Sequence, residues 1–278
     1  PETNGMIDHF VRPLDGVVTE WTGAEWQRFR NLPDLAFRKQ PAGVVRGPLG
    51  PGAMDLRAEC KCVRHLSSWP VKFTVTSPYM LARTLMDSHY GGLASLVEAL
   101  ADVLAVQVAD LEAEVVQVDE ANLPGRPEDA SLAAAGINRV LCGVTTERAV
   151  HLCFGNYGGQ TIQVGDYASL VPFFNALECD HLVLEMARRG QEDLEALANI
   201  KPDIDLGIGV VDVKDLEVES PETVAGRIEQ AMVTLGEDRI RWVHPDCGFW
   251  MLPRSVADAK MQALVAGRDL VLGRTGSE

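Results

Sequence analysis

Two neighbouring segments, LGIGVV at residues 206–211 and SPETVAGRIEQAMVTL at residues 220–235, decide the fold class. The first segment is short, apolar and rich in β-branched residues, as is typical of a strand buried on both faces. The second predicts a helix, because Ser220 is a suitable N-cap and Pro221 suits the first helical position. A buried strand followed by a helix is one βα unit of a parallel sheet.

The same alternation of strand and helix extends on both sides of this unit. Helices are predicted at residues 93–112 and 253–270, and Trp242, on the last strand, is expected in the core. Six βα units are fewer than the eight of a complete (β/α)8 barrel. A doubly wound sheet is the competing architecture, but its glycine-rich turn after the first strand is missing from the sequence. The six predicted strands are residues 71–76, 115–119, 149–153, 181–185, 206–211 and 240–243.

The first 70 residues follow a different pattern. They are interpreted as an irregular excursion with a possible hairpin around residues 44–46, before the six βα units of residues 71–278. We therefore predict a single domain over residues 1–278.

The charge balance restricts the partners. The chain has 25 Lys+Arg and 40 Asp+Glu, which gives a net charge of −15. This negative field repels phosphate backbones and argues against nucleic-acid binding. No run of 18 apolar residues and no secretory signal is visible, and the six cysteines are scattered, so we expect a cytoplasmic protein without a membrane span. Barrel exteriors often dimerise, so a homo-oligomer stays open.

Candidate metal ligands stand at the ends of the predicted strands, where active sites of such folds are built. His151 and Cys153 are two residues apart on one strand, so their side chains project to the same face. Glu185 ends the next strand, and Cys247 lies in the turn after the last one. Two thiolates, one imidazole and one carboxylate suit tetrahedral zinc. The alternative is that the cysteines are ordinary buried residues.

Two further strand ends carry polar side chains. Asp119 and Glu120 end one strand, where a carboxylate can bind an ammonium group or move a proton. The alternatives are an N-cap or a salt bridge. Ser77 follows another strand, where its hydroxyl and a helix N-terminus can bind a carboxylate, or the hydroxyl can simply cap the helix.

Taken together, the motifs QVDE at 117–120, His-x-Cys at 151–153, Glu185 and PDCG at 245–248 resemble the catalytic domain of cobalamin-independent methionine synthase. The resemblance implies a (β/α)8 TIM barrel of the type shared with uroporphyrinogen decarboxylase. The first two strands of that barrel have no counterpart, which suggests that N-terminal βα units are missing from this sequence.

The resemblance also implies the site. His151, Cys153 and Cys247 would bind zinc, and Glu185 would be a fourth ligand that the substrate thiol displaces. Asp119 would hold the amino group of homocysteine, and Glu120 and Ser77 are the other candidate substrate-binding residues. These residues, together with Lys214 in the position of a catalytic histidine of the family, are the predicted site.

The sequence departs from the family on the methyl-donor side. Thr84 stands where the family has a tryptophan that stacks on the pterin, Gly125 lies near a lost acidic contact, and Lys214 replaces the histidine. The predicted activity is zinc-dependent methyl transfer to the thiol of homocysteine, as in methionine biosynthesis, from methyltetrahydrofolate or a methyl-corrinoid protein. The alternatives are an epoxide–thiol transferase, a non-catalytic zinc-binding barrel and a decarboxylase-like barrel without metal.

Overall fold

The computed structural model describes residues 5–31, 40–156 and 160–274, which form two compact units. The first unit contains the described residues up to Val150 together with Ala176–Cys179. The second contains those of His151–Asn175 and those from Asp180 onward. The prediction of a single barrel domain stays a prediction.

The described residues contain nine strands, β1 to β9, and ten α-helices, α1 to α10. In chain order, the strands are Asp15–Val18, Val44–Gly50, Lys72–Thr76, Met86–Asp87, Val115–Glu120, Glu147–Leu152, His181–Leu184, Asp205–Val211 and Ile240–Pro245. The helices are Gly5–Val11, Gly23–Arg30, Leu56–Leu66, Pro78–Thr84, Leu93–Val108, Ala130–Leu141, Val171–Ala176, Gln191–Ala196, Pro221–Leu235 and Arg254–Val271. Short 3₁₀ helices lie at Leu123–Gly125, Pro127–Asp129, Ala168–Leu170, Leu197–Asn199 and Glu237–Arg239.

A small sheet in the first unit has the strand order β1-β2-β4. Strand β2 is antiparallel to β1, with Val44 opposite Val18 and Val45 opposite Val17, and parallel to β4. The predicted hairpin around residues 44–46 is wrong, because Val44 and Val45 are fully buried residues at the start of β2. The apolar pair that suggested a turn is instead the inward end of a strand.

The first unit also holds parallel strands of a larger sheet. Strands β3 and β5 pair in register from Lys72 opposite Val115 to Thr76 opposite Asp119, so both end at the same level. Helix α4 begins after β3 with Ser77 as its N-cap, whose hydroxyl accepts from Met80 N at 3.0 Å. Helices α4, α5 and α6 pack against one another. This arrangement brings the side chains that follow β3 and β5 to one edge.

The second unit contains β7, β8 and β9, which are parallel and adjacent in that order, and His151 and Leu152 at the end of β6. Helices α9 and α10 pack closely on each other. Helix α9 has the expected N-cap, because the Ser220 hydroxyl accepts from Thr223 N at 3.2 Å, and it ends at Gly236, whose φ is 92°. In the described residues, β9 has a strand neighbour on one side only.

The predicted α/β class with parallel strands is confirmed. All six predicted strands are present with boundaries within two residues, and the helix at residues 221–235 has the predicted bounds. The helix predicted over residues 93–112 ends earlier, at Val108. Trp242 is not in the core as predicted: it is 45% exposed, because β9 lacks a second described strand neighbour. No helix in the described ranges has both the length and the apolar character needed to cross a membrane.

Candidate metal centre

Three of the predicted ligands meet in the second unit. His151 lies near the end of β6, Cys153 follows that strand, and Cys247 lies in the turn after β9. One ligand atom from each side chain lies within 4.8 Å of the other two. His151 and Cys153 are buried, and Cys247 is half-buried. The strand spacing and the turn after β9 therefore place two sulfurs and one imidazole together, as predicted.

The imidazole of His151 is oriented by the neighbouring strand. Its Nδ1 lies 2.8 Å from the backbone carbonyl oxygen of Val183 in β7. A carbonyl oxygen can only accept, so Nδ1 carries the proton and donates it. Nε2 is then the nitrogen that can bind a metal. A histidine ligand whose other nitrogen donates to a carbonyl is the usual arrangement at protein metal sites.

The two thiols differ in their electrostatic environment. A hydrogen bond from Cys153 lowers the pKa of Cys247 well below its ordinary value, and the nearby His151 lowers it further. The same hydrogen bond, together with burial, raises the pKa of Cys153. The pair therefore favours a thiolate on Cys247, and a thiolate is the form that binds metals.

This donor set fits zinc. In a tetrahedral zinc site with bonds of about 2.0–2.3 Å, neighbouring ligand atoms lie roughly 3.3–3.8 Å apart, within the 4.8 Å limit observed for the three donors. Soft sulfur and imidazole donors suit zinc and not magnesium or calcium. Three protein donors leave the fourth position of a tetrahedron for another ligand.

Glu185 follows β7 directly, as predicted, but it is not part of the three-residue group. Its carboxylate Oε2 accepts from Lys214 Nζ at 2.9 Å, and the two side chains are 3% and 1% exposed. Glu185 therefore forms a buried ion pair with Lys214, another predicted site residue. Its role as a fourth ligand stays a prediction.

Asp246, next to Cys247, was not given a role from the sequence. Its Oδ1 accepts from the backbone amides of Met186 and Ala187 at 2.9 and 3.0 Å, and it is 1% exposed. Burial raises its pKa to about 7, and the Glu185 carboxylate adds to that rise, against the two amide hydrogen bonds. A Cβ at Gly209 of β8 would overlap Asp246 Oδ1. The glycine at this strand position was the sequence signal for the close approach.

The sequence analysis also did not predict a group of aromatic side chains near the candidate ligands. Tyr167 is fully buried, and its hydroxyl donates to the backbone carbonyl of Glu185 at 2.9 Å. The Arg189 guanidinium lies 3.9 Å from the centre of the Phe154 ring and 5.5 Å from that of Tyr167. Arg189 also pairs with Asp193 at 2.6 Å. Apart from the Arg189–Asp193 pair, which is four residues apart, these contacts join distant parts of the sequence and carry no local pattern.

The other predicted residues, Ser77, Asp119 and Glu120, belong to the first unit. Ser77 donates to the Glu120 carboxylate in addition to capping α4. Glu120 is fully buried, whereas Asp119 is half-buried and accepts from Gln117 Nε2 at 2.7 Å. The structure thus brings Ser77 and Glu120 together, and it leaves the predicted substrate-binding roles of all three as predictions.

The family follows from comparison with known proteins. Residues 1–268 match a family model described as the catalytic domain of cobalamin-independent synthase. The chain belongs to this family. The resemblance carried by the sequence motifs is therefore confirmed, and with it the prediction that the chain is an enzyme domain.

Comparison with individual relatives supports this family assignment. The chain is 30% identical over 274 residues to a methionine synthase of Saccharolobus solfataricus, a match that covers 96% of this chain and 75% of the relative. A methionine synthase of Thermococcus kodakarensis is 32% identical over 204 residues, which cover 72% of this chain and 57% of the relative.

A solved structure has the same fold. The B12-independent methionine synthase from Shewanella sp. W3-18-1, determined in complex with selenomethionine, superposes with a TM-score of 0.82 at 23% identity. The superposition covers 96% of this chain and 79% of that one. The predicted (β/α) barrel type of fold is confirmed.

Proposed function

We propose that this chain is a zinc-dependent methyltransferase that transfers a methyl group to the thiol of homocysteine and so forms methionine. The observation that carries the proposal is the convergence of His151, Cys153 and Cys247 within 4.8 Å in a family catalytic domain. A metal-free decarboxylase does not need two thiols and an imidazole with their ligand atoms close together, and the match to a catalytic domain argues against a barrel that only binds zinc.

The residues of the site prepare a thiol for attack. When bound, zinc stabilises a substrate thiol as its thiolate at neutral pH. Val183 orients the ring of His151 through Nδ1, so that Nε2 would bind the metal beside the sulfurs of Cys153 and Cys247. The substrate sulfur then attacks the methyl carbon. A sulfur–carbon bond forms, and the bond from the methyl group to its donor breaks with its electron pair going to the donor.

The recognition of homocysteine is assigned to the first unit. Asp119, half-buried near the end of β5, is proposed to bind the substrate ammonium group, and Ser77 and Glu120, which are hydrogen-bonded to each other, complete the proposed substrate-binding set. The catalytic role of Lys214 stays a prediction, because its ammonium is engaged by Glu185.

We propose a methyl-folate donor in line with the family. Thr84, at the predicted position of the pterin-stacking ring, is 1% exposed and donates to Leu81 O at 2.7 Å, so the usual stacking contact is absent at this residue. The assay therefore offers methyltetrahydrofolate and methylcobalamin separately, and formation of methionine identifies the donor.

The metal site is tested by zinc content and X-ray absorption at the zinc edge. We expect about one zinc per chain, two sulfur ligands, and a third sulfur after homocysteine is added. Cys153→Ser and Cys247→Ser should each lose most of the zinc, because a hydroxyl is a much poorer ligand than a thiolate.

Two cysteines outside the site provide matched controls. Cys60 is buried like Cys153, and Cys142 is exposed, so Cys60→Ser and Cys142→Ser should keep their zinc. A wild-type protein that holds no zinc under reducing, zinc-replete conditions contradicts the proposal. So does full zinc content in both site variants.

A further inference from the structure

We propose that Lys214 is a positioning residue that holds the Glu185 carboxylate in an ion pair and so keeps it from closing the fourth position of the metal. The inference rests on the proposed function only as far as the zinc site. It adds a role for a residue that the resemblance marks only as a replacement for histidine.

The first observation is the geometry of the pair. Lys214 Nζ and Glu185 Oε2 are 2.9 Å apart, and the side chains are 1% and 3% exposed. Water therefore has little access to either charge, and each group depends on the other for its compensation. The carboxylate lies outside the group formed by His151, Cys153 and Cys247.

The second observation is that the backbone of Lys214 is fixed. Its amide donates to Asp212 Oδ1 at 2.8 Å, and the amide of Asp212 donates to Glu219 Oε1 at 2.7 Å. Glu219 in turn binds Lys260, which is fully buried in α10, at 2.9 Å and Arg227 in α9 at 3.1 Å. The loop after β8 is thus tied to two helices, and these bonds fix the backbone position from which the Lys214 side chain reaches Glu185.

The Glu185 carboxylate has two possible positions, at the metal or at Lys214, and they differ in electrostatic energy. A carboxylate that moves to the metal leaves the Lys214 ammonium buried without its partner, which is costly in a poorly solvated site. A carboxylate that stays with Lys214 leaves the metal with three protein donors. Holding the carboxylate at Lys214 therefore weakens zinc binding and favours entry of a substrate thiol.

Glu185 also has a fixed backbone, which limits how it can respond. Its carbonyl accepts from the Tyr167 hydroxyl at 2.9 Å, and the next two amides bind Asp246. Only the side chain is left to exchange between Lys214 and the metal. The position of Glu185 is therefore set mainly by the charge at residue 214.

The test is the dissociation constant for zinc, measured by competition with a chromophoric chelator at one pH. Lys214→Met should bind zinc at least tenfold more tightly than wild type, because Glu185 is released to act as a ligand. Lys214→Gln keeps a hydrogen-bond donor and loses the charge, so its zinc affinity should increase by less than that of Lys214→Met. It replaces Lys214→Met as the test if the methionine variant does not fold. Lys214→Arg should stay within about threefold of wild type because it keeps the charge.

Two controls separate the ion pair from a general charge effect. In a Glu185→Gln background, Lys214→Met should change the dissociation constant by no more than threefold. Arg188→Met removes a cation that pairs with Asp212 at 3.6 Å but is 53% exposed, and it should leave zinc affinity unchanged.

The outcomes distinguish the two proposals. A wild-type protein that binds no zinc defeats the proposed function. A wild-type protein that binds zinc, with unchanged affinity in both Lys214→Met and Lys214→Gln, overturns only the present inference. Equal tightening in the Glu185→Gln background also overturns it, since the effect would then not pass through the carboxylate.

Discussion

Glu120 is a buried carboxyl group surrounded by donors. One oxygen accepts from the backbone amides of Asn122 and Leu123 at 2.6 and 3.0 Å, and the other accepts from Ser77 Oγ. Burial raises its pKa, and the hydrogen bonds only partly oppose that rise. Its hydrogen-bond acceptors therefore matter more to the fold than its charge.

We expect Glu120→Ala to lower the free energy of unfolding by about 3 kcal/mol, because buried amides and a hydroxyl lose their acceptor. Glu120→Gln keeps an acceptor of the same shape and should stay within about 1 kcal/mol of wild type. Urea unfolding of the two variants measures both values. An equal loss in the two variants would show that the negative charge itself is required.

The sign of the pH dependence follows from the raised pKa. A carboxyl whose pKa is higher in the folded protein takes up a proton on folding, so its contribution to stability is present at low pH and is lost as the pH rises through the folded pKa. Wild type should therefore gain stability relative to Glu120→Gln as the pH is lowered from alkaline to mildly acidic values. A constant difference over that interval would contradict the raised pKa.

At the scale of elements, the contact between α9 and α10 depends on Gly267. A Cβ at this position would lie 2.5 Å from Val224 Cβ and 2.8 Å from the carbonyl oxygen of Pro221. Neither atom belongs to the flexible end of a side chain, so the two helices would have to separate. A Cβ at Gly226 in α9, by contrast, would have no atom of a neighbouring element within 4 Å.

Gly267→Ala should therefore lower the free energy of unfolding by about 1–3 kcal/mol through overpacking. Gly226→Ala is the matched control and should raise it by roughly 0.5–1 kcal/mol, because alanine favours a helix. Urea unfolding compares the two. A stabilising Gly267→Ala would mean that the helices are not in close contact at this point.

The elements themselves could be predicted because their signals are local. Short β-branched runs, the Ser220 N-cap and Pro221 suffice for β8 and α9, whose boundaries depend little on distant residues. The exposure of Trp242 and the pairing of residues 44–50 depend on which strand lies alongside. Tertiary packing decides which strands are neighbours, and the local sequence of a single strand does not specify it.

The candidate site likewise contains contacts that local strand geometry predicts and contacts that depend on tertiary packing. His151 and Cys153 could be predicted to project together because strand geometry alone requires it, and their meeting with Cys247 follows from strand ends. The ion pair of Glu185 with Lys214 joins positions 29 residues apart, and either side chain had other plausible partners. The same holds for the contacts of Tyr167 with Glu185 and of Arg189 with Phe154, which are set by the folded loop.

At the scale of the whole molecule, the main electrostatic feature is the excess of acidic residues. The net charge of −15 makes the surface repel itself. We expect the melting temperature to rise as NaCl increases from about 20 mM to about 300 mM, since the Debye length falls from about 20 Å to about 6 Å. The rise should level off once screening is complete. A fall in melting temperature would mean that screened ion pairs outweigh the repulsion.

The distribution of the site residues over the chain has an evolutionary consequence. The candidate ligands, the Lys214–Glu185 pair and the side chains that fix them all belong to the second unit, whereas Ser77, Asp119 and Glu120 belong to the first. Under the function proposed above, thiol activation and acceptor recognition are encoded by different sets of residues, so selection on the choice of acceptor need not replace the candidate ligands.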